Sequence, residues 1–263
     1  MSRRRFYASR DAFDADGEAG ARVRLAPEEA RHLREALRLK AGDEAYVFDG
    51  EGNEYLCVVV GSAAGGRRGE ATLEVRGRVE ALRPESPLGL TLAVALLKGE
   101  KFDLVVQKAT ELGVARIVPV LTKRADVRLR DAGEGAKRVV RWRRLAQEAA
   151  KQSGRARVPS VDEPSAFGAV VAPDEKEESA GVRLLFAERG GRGLAQTVED
   201  LGGALPSSVV AMVGPEGGWE DEELETAKSA GWSIVTLGGR TLRAETAAIA
   251  VAVLLQHLFG DLK

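Results

Sequence analysis

The chain has 263 residues, 44% of them hydrophobic, with 39 basic and 40 acidic side chains, so it can bury the cores of two modest domains and is no disordered polymer. Its apolar stretches stay short of a membrane helix, and the start Met1-Ser2-Arg3-Arg4-Arg5 leads into Phe6-Tyr7 rather than into an apolar signal core, which points to the cytosol. The single cysteine, Cys57, excludes an internal disulfide, and two histidines, His32 and His257, with no Cys/His cluster argue against zinc and against metal catalysis.

The first elements predict a small β-rich domain. Short apolar segments at 21–25, 45–48, 55–60 and 71–79 are separated by turn-rich pieces such as Asp49-Gly50-Glu51-Gly52 and Gly65-Gly66. Cys57 falls inside one of these runs and is expected to be a small buried hydrophobe. One helix, 27–39, opens on Pro27 and sets Ala30, Leu33 and Leu37 on one stripe, which leaves His32 off the stripe and at the surface. In Leu82-Arg83-Pro84-Glu85-Ser86-Pro87 two prolines block both helix and central strand. That linker divides the chain into domains 1–83 and 84–263.

Beyond the linker strands and helices alternate. Residues 88–97 form a nearly continuous apolar run, as in a strand buried on both faces. The helix 101–112 follows, with Phe102, Val105, Val106, Ala109 and Leu112 on one face and Gly113 as its stop. Then come strand 116–121, a basic helix 136–152 with Trp142 as its core anchor, strands 183–187 and 208–213, helix 220–230, strand 233–237 and helix 242–259. This order predicts an α/β fold with a mainly parallel sheet, and such sheets bind ligands at the carboxyl ends of their strands.

Charge is distributed unevenly. Residues 1–83 hold 15 basic and 15 acidic side chains, 123–157 hold 12 basic against 4 acidic, and 158–263 hold 8 basic against 17 acidic. The basic block suits a polyanion such as nucleic acid. A solvated helix face looks the same, and the run alone does not separate the two.

Two glycine-bearing loops follow C-terminal strands: Gly214-Pro215-Glu216-Gly217-Gly218, and Gly238-Gly239-Arg240-Thr241-Leu242-Arg243-Ala244-Glu245-Thr246. Either could be a plain turn, whereas the pair points to a pocket. The helix after the first loop opens with Glu220, Asp221, Glu222 and Glu223, which suit the positive helix end but repel a phosphate. No G-x-G-x-x-G follows a strand, and Gly191-Arg192-Gly193-Leu194-Ala195-Gln196 only approaches one. A nucleoside without phosphates fits better, and S-adenosylmethionine is such a ligand.

At these residues the sequence resembles the bacterial 16S ribosomal RNA uridine-N3 methyltransferases of the SPOUT superfamily. The matching pieces are Arg4-Arg5-Phe6, His32-Leu33-Arg34 with Leu37-Arg38, Lys98-Gly99-Glu100-Lys101, and Lys108-Ala109-Thr110-Glu111-Leu112-Gly113. They continue through Glu148-Ala149-Ala150-Lys151-Gln152-Ser153-Gly154-Arg155 to the two C-terminal loops. The resemblance implies a PUA-like β-barrel at the N-terminus and a SPOUT-type domain with a C-terminal trefoil knot. It further implies a homodimer, S-adenosylmethionine in the knot loops, and methylation of N3 of a uridine near the 3′ end of 16S RNA in the small ribosomal subunit. Where the family pattern has Glu-Arg-Ser, this chain has Lys123-Arg124-Ala125.

The cofactor set expected on this basis is Leu185, Met212, Gly214, Glu216, Gly217, Gly218, Leu237, Gly238, Leu242 and Arg243. Deprotonated uracil spreads negative charge onto O2 and O4, so a nearby arginine would stabilise it. Arg243 is the first candidate and Arg155 the second. Glu245 is a candidate general base, although a carboxylate there also suits a helix N-terminus. Phosphate contacts are expected from Arg3, Arg4, Arg5, Arg124, Arg128, Arg138, Arg141 and Arg144, and polar reading of RNA from Gln152, Ser153 and Arg155. Three rivals remain at this stage: an RNA-binding or ribosome-assembly protein without catalysis, a SPOUT enzyme acting on a ribose 2′-hydroxyl or another base, and, a distant third, a nicotinamide dehydrogenase.

Overall fold

The computed structural model describes residues 3–15, 17–61, 70–172, 181–202 and 205–263, so the Gly65-Gly66 turn lies outside the described residues. It places Met1–Glu85 and Gln147–Val158 in one unit, and Ser86–Ala146 and Pro159–Lys263 in a second.

In the first unit β1 (Arg5–Tyr7), β2 (Arg22–Leu25), β3 (Glu44–Phe48), β4 (Glu54–Gly61) and β5 (Ala71–Val79) form one sheet in the order β1-β3-β4-β5-β2. β1 pairs with β3 in parallel and the other pairs are antiparallel. Alternation decides which side chains go inward: Val23, Leu25, Leu73 and Val75 are buried while Arg22, Arg24 and Arg76 face out. Cys57 is fully buried in this core, and burial pushes its thiol up to about 12.

The helix expected at 27–39 is shorter. α1 (Pro27–Arg31) runs into a π-turn at His32–Ala36, and Arg38 turns left-handed at φ 53°, which ends the helical path. Ala30 and Leu33 are buried, and His32 is exposed as its position off the stripe suggested. β1 was not anticipated, because three residues in an arginine-rich start carry too little alternation to read.

The second unit holds β6 (Gly89–Ala95), α2 (Lys101–Glu111), β7 (Arg116–Leu121) and α3 (Ala132–Ser153), whose residues from Gln147 belong to the first unit. It continues with β8 (Ser160–Val161), β9 (Ser165–Ala166), α4 (Phe167–Val171), β10 (Val182–Phe186), β11 (Arg192–Gly193) and α5 (Leu194–Glu199). β12 (Ser208–Val213), α6 (Asp221–Ser229), β13 (Ser233–Thr236) and α7 (Ala244–Phe259) complete it. The sheet runs β11-β13-β10-β12-β6-β7-β8 with β9 beside β7, and its strands pair in parallel. The longer elements lie within a few residues of the expected spans. The small pieces β8, β9, α4, β11 and α5 were not foreseen.

Both faces of this sheet are covered, which explains its unbroken apolar strands. On one face Ala93, Leu185 and Met212 pack with Trp219, Leu224 and Trp232 around α4 and α6. On the other, α7 lies against β6, β12 and α2, burying Ala248, Val251 and Leu255. Gly113 stops α2 at φ +81°, and a Cβ there would lie 2.9 Å from the amide nitrogen of Gln256. Trp142 is 2% exposed, packs its ring 4.3 Å from that of Phe102, and donates to Asp103 at 3.0 Å, so it is the core anchor expected of it.

Candidate active site

The strands β13, β10 and β12 are neighbours, and their carboxyl ends open onto one cavity of about 620 Å³. That size suits a small-molecule ligand. The first glycine loop forms one wall and residues 237–243 another, with Phe186, Ala187 and Glu188 between them at the end of β10. Trp219 closes the floor: it is 1% exposed, and its indole N–H donates to the Phe186 carbonyl at 2.9 Å.

The glycines of the first loop are there for want of space. A Cβ at Gly214 would lie 2.8 Å from the Trp219 ring, and one at Gly217 would lie 3.0 Å from both Cβ and the carbonyl oxygen of Arg124. Gly218 has φ +70°, where an L side chain is strained, and its added Cβ would meet Glu188 at 2.5 Å. Glycine at these positions leaves main chain on the cavity wall beside the side chains of Glu216 and Trp219, which suits a ligand read partly by main-chain hydrogen bonds. The following helix α6 is capped by its own carboxylates, with Glu220 accepting from the Glu223 backbone N–H while Glu223 accepts from that of Glu220. The N-cap and first turn of α6 thus carry four carboxylates, which suit the positive helix end and repel a phosphate.

Gly214, Glu216, Gly217, Gly218, Leu237, Gly238, Leu242 and Arg243 all line the cavity. Leu185 and Met212 do not. Each is 0% exposed and points into the core beneath α4 and α6, because the residue that reaches the strand end is the next one along. Missed on sequence grounds were Glu188 and Trp219, which line the cavity, and Lys101 beside it; Arg240 and Thr241, quoted within the second loop but not in the cofactor set, line it too. Lys101 was quoted only as part of a motif, and nothing in one sequence says that the end of β6 lies next to that of β12.

Glu216 is held toward the β6–α2 connection. Its carboxylate accepts from Lys101 Nζ at 2.9 Å. Burial would raise its pKa, but the Lys101 hydrogen bond and charge, with the backbone N–H groups of Glu216 and Lys98, hold it below the usual carboxylate range. Lys101 is shifted upward chiefly by the same hydrogen bond. Arg243 is exposed at the N-cap of α7 and lies on the cavity wall. Glu245, in the first turn of α7, is 9% exposed, with its Oε2 3.9 Å from Lys101 Nζ.

The Lys123-Arg124-Ala125 segment is docked rather than free. The Lys123 backbone N–H donates to Glu223 at 3.0 Å, its ammonium pairs with Glu222, and Arg124 bonds Glu220 at 2.8 Å and the Gly217 carbonyl at 3.4 Å. Ala125 is buried.

Two arginines prove to be structural. Arg5 is 5% exposed, and its five N–H groups make five bonds: two to Glu54 at 3.1 and 3.3 Å, and one each to the carbonyls of Ala150, Lys151 and Arg155 at 3.3, 3.0 and 2.8 Å. It caps the end of α3 and has no donor left for a phosphate. Arg155 is also 5% exposed and bonds Glu85 at 2.7 and 3.0 Å, so it belongs to the scaffold of the first unit rather than to a reactive centre or an RNA-reading edge. Arg4, Arg124, Arg128, Arg141 and Arg144 are exposed, as is Gln152. Arg3 donates to the Glu80 carbonyl at 2.7 Å, and Arg138 pairs with Glu134 at 2.9 Å. Arg141 pairs with Asp103, and Ser153 donates back to the Ala150 carbonyl at 3.3 Å.

Comparison with known proteins agrees with this geometry. Residues 84–256 match the model of an RNA methyltransferase domain, and residues 25–64 match that of an RNA methyltransferase PUA domain. The chain is 34% identical over 230 residues to ribosomal RNA small subunit methyltransferase E of Synechocystis sp., covering 86% of this chain and 70% of the relative. It is 32% identical over 236 residues to the Mycobacterium bovis protein of the same name, covering 90% and 86%. The crystal structure of the Neisseria gonorrhoeae ribosomal RNA small subunit methyltransferase E, bound to S-adenosyl methionine, superposes with a TM-score of 0.82 at 32% identity and full coverage of both chains.

Proposed function

We propose, from the premise that the chain belongs to the ribosomal RNA small subunit methyltransferase E family, that its cavity binds S-adenosylmethionine for methylation of N3 of one uridine near the 3′ end of 16S RNA. Methylation of ribosomal RNA with that donor is the activity of the family; the base and atom are our reading. The observation that carries it is the cavity at the strand ends, whose glycine walls admit an adenosine portion while acidic α6 offers nothing to a phosphate.

When bound, S-adenosylmethionine supplies an electrophilic methyl group on a sulfonium. The residues 214–218 and 237–243 would hold the adenosine portion and exclude water from it. Methylation at N3 would form an N–C bond as the methyl–sulfur bond breaks to leave the neutral thioether, with the N3 proton passing to water, and negative charge would grow on O2 and O4 as that proton leaves. Arg243, exposed on the wall, is placed to stabilise that charge. Glu245 is a poor open base, because its buried Oε2 faces Lys101. Holding the base and the methyl group in line would supply much of the acceleration.

Exposed Arg124, Arg128, Arg141 and Arg144 would meet phosphates, Arg124 and Arg141 by exchanging their pairs with Glu220 and Asp103, and the PUA-like first unit, domain 1–83 of the expected division, would help hold the RNA. Exposed Val253 and Leu258 on α7 support a homodimer. The two C-terminal loops would form the trefoil knot, and the substrate would be the small ribosomal subunit in the cytoplasm.

The test is to incubate the protein with methyl-labelled S-adenosylmethionine and small subunits lacking the modification, then digest the RNA for mass spectrometry. Labelled 3-methyluridine at one position near the 3′ end is expected. Label on a ribose or on another base would overturn the assignment.

A further inference from the structure

The cavity's two loops come from different strand ends, and a single cation from a third element stands between their carboxylates. Lys101 opens α2, beyond the end of β6. Its ammonium bonds Glu216 of the first loop at 2.9 Å and lies 3.9 Å from Oε2 of Glu245, which follows the second loop. That Oε2 is buried and, among the described residues, has no hydrogen-bond partner, in a side chain whose residue is 9% exposed. A buried carboxylate oxygen without a donor is costly. The nearby ammonium has three N–H groups, of which Glu216 occupies one. Lys101 is therefore the group that can complete Glu245, with a shift of less than the difference between these two distances.

We propose that Lys101 is a positioning residue: by sharing its ammonium between Glu216 and Glu245 it ties the two glycine loops together and fixes the mouth of the cofactor cavity. Lys101 does not line that cavity, so it acts through the loops and not by touching the ligand. Arg243 is close enough to oppose the Lys101 charge. Arg243 itself lines the cavity.

This inference rests on the cofactor reading, and the experiment separates the two. S-adenosylmethionine is titrated calorimetrically into the wild type, Lys101→Met, Glu216→Gln, the double variant and Lys101→Arg, with melting curves for each. Each single change is expected to weaken binding about fivefold to tenfold, the range of a well-placed and partly screened ion pair. The double variant should bind no worse than the weaker single one, because Glu216→Gln breaks a contact that Lys101→Met already removes. Lys101→Arg should recover most of the affinity, and the Michaelis constant for RNA should stay unchanged.

Independent effects that multiply in the double variant would overturn the proposal, as would Lys101→Met binding like the wild type. A wild type that binds no S-adenosylmethionine overturns both this inference and the cofactor reading. Should Lys101→Met melt well below the wild type, the cycle is read from Glu216→Gln, Glu245→Gln and their double variant. Coupling between those two carboxylates then supports the shared ammonium, and additivity refutes it.

Discussion

Replacing Gly214 by alanine tests how the floor of the cavity is built. The added Cβ would lie 2.8 Å from Cε2 and 2.9 Å from Nε1 of Trp219. That indole is 1% exposed and bonded to the Phe186 carbonyl at 2.9 Å, and its ring packs 5.5 Å from that of Phe167. It cannot swing aside as a flexible chain end would, so either the ring or the loop must move. Overpacking of this kind costs about 1–3 kcal/mol, and loss of the indole hydrogen bond adds about 1 kcal/mol. For a domain of this size the melting midpoint should fall by roughly 4–16 °C. Affinity for S-adenosylmethionine, measured by calorimetric titration, should drop at least about tenfold, or about 1.4 kcal/mol. Gly168→Ala is the control: the residue is exposed in α4 with nothing within 4 Å of its Cβ, so it should be neutral or slightly stabilising. A Gly214→Ala protein with wild-type melting and wild-type affinity would refute the reasoning.

Arg5→Met should destabilise the first unit by about 1.5–3 kcal/mol, since it removes two charge-assisted hydrogen bonds from the buried Glu54 carboxylate, which keeps Arg3 at 3.3 Å and the Leu82 N–H at 3.0 Å, and chemical denaturation will show whether it does. Charge reversal at Arg141 and Arg144 should weaken RNA binding and flatten its salt dependence by about one unit of slope per charge removed, while leaving S-adenosylmethionine affinity alone. Cys57 should resist thiol reagents at pH 8 in the folded protein and react at once in guanidinium. The same thiol, lifted from 9.0 to about 12, lends stability that is fully present below pH 9 and is lost as pH rises toward 12; Cys57→Ala should flatten that alkaline loss.

The alternating order of apolar runs and amphipathic stretches revealed the parallel sheet and its larger helices, because burial on two faces leaves a strong mark in sequence. Short pieces such as β1 and β11 leave none. The cavity loops were legible for a related reason: glycines that no Cβ could replace stand out in composition, as at Gly214 and Gly217. Distances across the fold were not legible. Leu185 and Met212 were placed one residue too early because periodicity tells that a strand alternates but not which residue ends it. Arg5 was expected at a phosphate and Arg155 at the reacting uracil or reading RNA, since a sequence does not show that Glu54 and Glu85 await them. Lys101 escaped notice because its role depends on β6 lying beside β12.

The assignment of the cofactor site is tested most directly by hydrogen–deuterium exchange with and without S-adenosylmethionine. Protection should concentrate on the backbone of 214–219 and 237–243, with the five-stranded sheet of the first unit unchanged. If those two segments exchange at the same rate with saturating ligand, the cavity between them is not where the methyl donor binds.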